Sequence, residues 1–166
     1  MVRAHLSQQL KDAGRELLAT TDALGMQAQG AMWIYDHALQ DWRYYLVTSL
    51  VDTIGRRKTY GLLLDAFERI DLPKEMTVED VHLGSPADPI FRLISRNVEV
   101  SGGATAEVQS CSFDGLEFDG VIYRSVRELP TPRQAQQIDK QFAKSVRNLG
   151  PRPNKGRNRG RTFVKG

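Results

Sequence analysis

Ala31-Met32-Trp33-Ile34-Tyr35 and Trp42-Arg43-Tyr44-Tyr45-Leu46-Val47-Thr48-Ser49 are the two runs on which the fold class turns. Both are dense in aromatic and β-branched residues, the side chains that suit a pleated, half-buried surface. Asp36-His37-Ala38-Leu39-Gln40-Asp41 between them is polar, and fits a connection slightly longer than a tight turn. The pair reads as a β-hairpin. Alternation places Trp33 and Tyr35 on one face of the first strand, and Trp42, Tyr44, Leu46 and Thr48 on one face of the second. Rings on adjacent strands can then pair across the ladder and add to simple burial. Core packing, rather than a base-stacking platform, is the reading for Trp33, Tyr35, Trp42, Tyr44 and Tyr45. Since Tyr44 and Tyr45 point to opposite faces, at least one of them is a candidate for exposure.

Upstream, Leu6, Leu10, Ala13, Leu17, Leu18 and Leu24 recur at three- and four-residue steps, predicting a helix from about Ser7 to Ala23. Gly25 is its stop signal. Gly14 inside the run costs ~1 kcal/mol relative to Ala but does not overturn the pattern. Downstream, a helix is predicted from about Arg56 to Asp71, capped by Asp52 or Thr53. Tyr60, Leu63, Leu64, Phe67 and Ile70 form its buried stripe, and Pro73 ends it. Residues 77–83 alternate as a strand would, and Gly84-Ser85-Pro86 reads as a turn. Asp88-Pro89 has the form of a cap followed by proline at the first helical position. It opens a short helix through Arg96 with Ile90, Phe91, Leu93 and Ile94 on its apolar side.

Thr105 to Phe113 and Leu116 to Val126 read as a second hairpin joined at Asp114-Gly115, a pair that favours a primed turn. Asp119-Gly120 interrupts its second strand and suggests a bulge or a shifted turn. Thr131-Pro132 marks the end of the core, and Arg133 to Leu149 fits a final helix with Ala135, Ile138, Phe142 and Val146 at near-helical spacing. From Pro151 onward there is little to bury and no acid, so disorder is expected. The expected class is α+β: a small mixed or antiparallel sheet of two hairpins and one further strand, about four helices, and a basic disordered C-terminal tail. The organisation reads as a globular body over 1–132, a C-terminal helix over 133–150 and a flexible tail over 151–166.

Charge divides this chain. Residues 133–166 hold ten Lys or Arg against a single acid, Asp139, whereas the first 132 hold thirteen basic and nineteen acidic side chains. The net +3 therefore conceals an anionic body and a terminus of about nine positive charges. Arg152, Lys155, Arg157, Arg159, Arg161 and Lys165 space their charges along a Gly- and Asn-rich segment, which suits phosphate contacts that need no fixed geometry. Phe163 adds a ring able to stack. Arg56-Arg57-Lys58, at a predicted helix start where cations oppose the helix dipole, forms with Arg43 a secondary anion patch.

Catalytic and metal signatures are missing from the sequence. His5, His37 and His82 are far apart and form no HExxH-type pair. His37 beside Asp36 is the first choice for a general base, against the plainer reading of a solvated loop histidine. Gly84-Ser85 lacks the paired carboxylates that a nucleotidyltransferase would need downstream, and Glu117-Phe118-Asp119 lacks the lysine of an Asp…Glu-x-Lys nuclease. Gly102-Gly103 belongs to no phosphate-loop pattern. The lone Cys111 excludes an intrachain disulfide and a cysteine zinc site, and reads as buried and inert. No apolar run approaches the ~18 residues of a membrane span, and residues near the N-terminus lack a secretory core, so the cytoplasm is the expected compartment.

These readings lead to an expected function: a non-catalytic nucleic-acid- or nucleoprotein-binding accessory protein without cofactor or metal. The alternatives are a protein–protein adaptor whose tail meets an acidic protein surface, and a divergent nuclease or nucleotide-processing enzyme using His37, Asp36 and Arg43.

Overall fold

A computed structural model describes residues 5–68 and 76–149. In chain order the elements are α1 (Gln8–Ala23), β1 (Gly30–Asp36), β2 (Asp41–Val47), α2 (Leu50–Thr53), α3 (Arg56–Phe67), a 3-10 turn (Val78–Asp80), β3 (Val81–Gly84), α4 (Pro89–Asn97), β4 (Ala106–Phe113), β5 (Leu116–Ser125) and α5 (Pro132–Arg147). The class is α+β. Five strands form one sheet in the order β3-β2-β1-β5-β4. It is mixed, because β2 and β3 run parallel while every other pair is antiparallel. The parallel pair follows from the crossover through α2 and α3, which a hairpin turn could not supply.

Both predicted hairpins are present. In the first, Trp33 lies opposite Tyr44 and Tyr35 opposite Trp42, and each pair meets edge to face with ring centroids 5.2 and 5.4 Å apart. In the second, Asp114 and Gly115 take positive φ of 47° and 82°, the conformation of a primed hairpin turn.

The sheet's two faces are covered unequally. On one, α1, α3 and α5 enclose the larger core, with Leu17, Trp33, Tyr44, Leu46, Leu63 and Phe142 among its buried members. Among the described residues, α4 is the one helix that packs on the other, over Met32, Val47, Phe118 and Ile122 through Phe91 and Ile94. Tyr44 is accordingly buried, and Tyr45 on the opposite face is half-buried.

Helix α1 is fastened to the sheet by three aromatic side chains. Trp33 Nε1 donates to Leu10 O (3.0 Å), Tyr123 Oη to Lys11 O (2.6 Å) and Tyr44 Oη to Gly14 O (2.8 Å). Such an approach needs a residue without a side chain at position 14: a Cβ there would lie 2.6 Å from Trp33 Nε1 and 2.8 Å from the Tyr123 ring. Burial pushes both phenols well above their ordinary range, so they stay protonated donors.

Helix ends follow their local signals. Ser7 accepts from Leu10 N, Asp88 from Ile90 N with Pro89 at the first position, and Thr131 forms a capping box with Gln134. Elsewhere the expectations need correction. The strand anticipated over 77–83 begins only at Val81, because Asp80 Oδ2 accepts from Thr77 N (2.7 Å) and closes a 3-10 turn instead. Neither Asp52 nor Thr53 caps α3. Both belong to the separate α2, and Gly55, at φ 88°, caps α3. Leu64 and Ile90 are exposed rather than buried, while Ile70 and Pro73 lie outside the described residues. Strand β5 is not interrupted at Asp119-Gly120. The bulge lies opposite, in β4, where Gln109 and Ser110 together face Asp119. Cys111 is half-exposed, not buried.

The outer edge of β3 is covered by side chains of α3. Tyr60 Oη donates to Val81 O and accepts from Leu83 N, and Arg56 Nε donates to Leu83 O (3.1 Å). The polar groups that an open edge would offer to another strand are thereby occupied. No helix among the described residues is long and apolar enough to cross a membrane.

Candidate functional site: an arginine cleft beside helix α4

The sequence placed its first anion-binding segment at Arg152, Lys155, Arg157, Arg159, Arg161 and Lys165, all outside the described residues. Of the secondary patch, Arg43 and Arg56 are brought together around His82. Burial depresses the His82 pKa most, and the two guanidiniums, Arg56 more than Arg43, push it further down against a smaller opposing effect of Asp88. The Tyr45 ring lies 4.7 Å from that imidazole. Arg56 is already committed to the edge of β3 through Leu83 O. Arg57 and Lys58 are exposed on the first turn of α3, with no hydrogen bond or ion pair joining them to the rest among the described residues.

The trio His37, Asp36 and Arg43 does not assemble. Asp36 Oδ1 is occupied within its own turn, accepting from Ala38 N and Leu39 N. His37, 45% exposed, instead approaches Asp119, which is only 3% exposed, with Nε2 3.4 Å from Oδ2. The other carboxylate oxygen of Asp119 accepts from Ser110 N (2.8 Å) at the β4 bulge, where Ser110 has φ 50°. This network locks two strands and the hairpin loop together, a sufficient role for a buried carboxylate. Among the described residues no group of three or more His, Cys, Asp or Glu side chains could hold a metal ion.

A cationic cluster that the sequence reading did not single out lies beside α4. Arg92, Arg96 and Arg127 line a cleft of about 450 Å³ together with Pro86, Pro89, Phe91, Ser95 and Leu129. No acidic residue lines it, and no carboxylate pairs with any of the three arginines among the described residues. Arg92 and Arg96 are four apart on α4 and so share a face. Arg127 follows β5, and its guanidinium donates to Ser95 O (3.0 Å) and Arg96 O at the C-terminal turn of α4. A cation at that end complements the helix dipole, which explains the position of Arg127 and fixes it in the cleft wall. Like charges lining one cleft repel one another, and an incoming anion would relieve that repulsion.

The segment carrying Arg127 separates this cleft from a second one of about 640 Å³. Extended backbone sends alternate side chains to opposite sides. Arg127 lines the arginine cleft, Val126, Glu128 and Pro130 line the second, and Leu129, 48% exposed, borders both. Across the second cleft stand Gln134, Gln137 and Gln141 of α5.

Two signals in the sequence bear on the arginine cleft: the i, i+4 arginines on a short predicted helix, and an arginine two residues after the last strand. Their convergence depends on Arg127 reaching backbone carbonyls 31 and 32 residues away, and composition does not encode such a reach. Comparison with models of protein families, with curated proteins and with solved structures finds no significant match for this chain.

Proposed function

We propose that the chain is a non-catalytic nucleic-acid- or nucleoprotein-binding accessory protein. In this reading the Arg92–Arg96–Arg127 cleft seats backbone phosphates, and the basic segment beyond residue 150 adds sequence-independent attraction. The observation that carries it is the cleft itself: three guanidiniums with, among the described residues, no lining acid and no ion pair, on a body whose first 132 residues are net acidic. Guanidinium offers planar, forked donors that match phosphate oxygens, which suits it to this work better than the point charge of lysine.

Titrating a single-stranded oligonucleotide against the full chain at several salt concentrations tests the reading. Observed affinity should fall linearly on a log–log plot as counterions are released. Deleting residues 151–166, which carry six Lys or Arg, should flatten the slope by about 0.7 for each phosphate that the segment neutralises. A slope unchanged by the deletion refutes the role given to this segment.

A protein partner is the second reading, and a specific observation favours it. The sheet face under α4 is incompletely covered: Ile34, Tyr45, Val108 and Phe113 remain only partly buried, and Ile90 of α4 is 54% exposed. Apolar surface of this kind is commoner at binding faces than elsewhere. Partners that stay bound after nuclease treatment would favour the adaptor over the nucleic-acid reading.

A further inference from the structure

The cleft on the far side of the Arg127 strip differs in chemistry from the arginine cleft. Among the described residues its walls carry amides and one carboxylate, Glu128, and no cation. Its floor holds an unusual group. Gln29 is 8% exposed, and its main chain extends the sheet past β1, donating to Val47 O (2.9 Å) and accepting from Val126 N (2.9 Å). Its side-chain Nε2 reaches Gln27 O at 3.3 Å, while Oε1 is buried without a hydrogen-bond partner. A buried acceptor left unsatisfied is destabilising, and most folded proteins avoid it. The terminal torsion of a glutamine is soft, so this oxygen can turn toward the cleft when a donor arrives there. The Glu128 carboxylate offers acceptor oxygens to the cleft. The cleft therefore offers acceptors to a ligand that brings N–H donors, with Leu129 and Pro130 as an apolar surface for a flat group.

We propose that this cleft takes an unstacked nucleobase bearing an exocyclic amino group, with Glu128 and Gln29 as acceptors, when a neighbouring phosphate lies on the arginines across the strip. The inference rests on the polyanion reading above and adds a preference to it. Phosphate contacts set position and carry no sequence information, whereas contacts to base edges do. Single-stranded nucleic acid is the form that can splay a base into such a cleft. Cytosine presents an amino donor where uracil presents a carbonyl acceptor, and carboxylates favour the former. Glu128 would repel the uracil carbonyl.

Fluorescence anisotropy with oligocytidine and oligouridine of equal length, on the full chain at one salt concentration, tests the preference. Oligocytidine should bind about five- to tenfold more tightly. Both should show the same salt slope, because their phosphates are identical. Glu128→Gln substitutes an amide that also donates. It should narrow the preference to about twofold or less and leave the slope unchanged. Gln29→Met, which removes the buried acceptor, should narrow it too. Equal binding of the two oligomers by the unaltered chain, with a steep salt slope, overturns the base site and leaves the polyanion reading standing. Absence of salt-dependent binding to either removes both. Tighter binding of oligoglutamate than of either oligonucleotide reassigns the surface to an acidic protein.

Discussion

Gly14→Ala should lower the stability of this protein by about 2–3 kcal/mol, although alanine is the better helix former by ~1 kcal/mol. The added methyl would meet Trp33 Nε1 at 2.6 Å and Tyr123 at 2.8 and 2.9 Å. Neither ring can withdraw cheaply. Both are almost fully buried, and each is tied by its own hydrogen bond to α1, at Leu10 O and Lys11 O. Relieving the overlap means lifting α1 from the sheet, which stretches those two bonds and the one from Tyr44 to Gly14 O. For a domain of this size the destabilisation corresponds to a fall in melting temperature of about 4–12 °C. Equilibrium unfolding in urea reads the same quantity. An unchanged or raised midpoint would mean that α1 is not held by these rings in the way described.

Asp119→Ala is the second substitution with a large expected cost, about 2 kcal/mol, the usual range for losing hydrogen bonds to a charged group. The carboxylate is buried, accepts from Ser110 N and lies within ion-pair distance of His37. Its removal leaves the β4 bulge without the acceptor that fixes it, and leaves the 36–41 loop without its tie to β5. The effect should be local as well as global. Exchange of the Ser110 amide hydrogen should accelerate more than that of residues in β1, at the centre of the sheet. Asp119→Asn retains an acceptor for Ser110 N but loses the charge, and should cost less than half as much. Equal costs for the two substitutions would assign the contribution to the charge rather than to the hydrogen bond.

Much of this architecture is legible in the sequence because its signals are local. The aromatic runs around residues 31–35 and 42–47 alternate as strands, Asp114-Gly115 can take the two positive φ values of a primed turn, and Asp88-Pro89 carries its own capping chemistry. Thr77 and Asp80 mislead a period-two reading, since alternation says nothing of a side chain that reaches back to close a turn. The parallel pairing of β2 with β3 is hidden for a different reason. It depends on where α2 and α3 return the chain, and on Tyr60 and Arg56 meeting the far side of β3. Gly14 stands out in the sequence only as a weakness in a helix, and its purpose lies in rings 19 to 109 residues away. The candidate site is the least legible part. Arg127 is recruited by carbonyl groups at the end of α4, a backbone property shared by every helix, and nothing in its neighbouring sequence marks that destination.

The proposed function stands or falls on whether the folded body makes its own phosphate contacts. Arg92→Gln/Arg96→Gln in the full chain leaves the backbone caps and the 151–166 segment as they are, and removes two charges from the cleft. Its salt dependence for a single-stranded oligonucleotide, measured beside that of the unaltered chain, should show a log–log slope shallower by about 1.4, at ~0.7 per neutralised phosphate. The two slopes coinciding within error, with affinity unchanged at every salt concentration, would contradict the assignment of the arginine cleft.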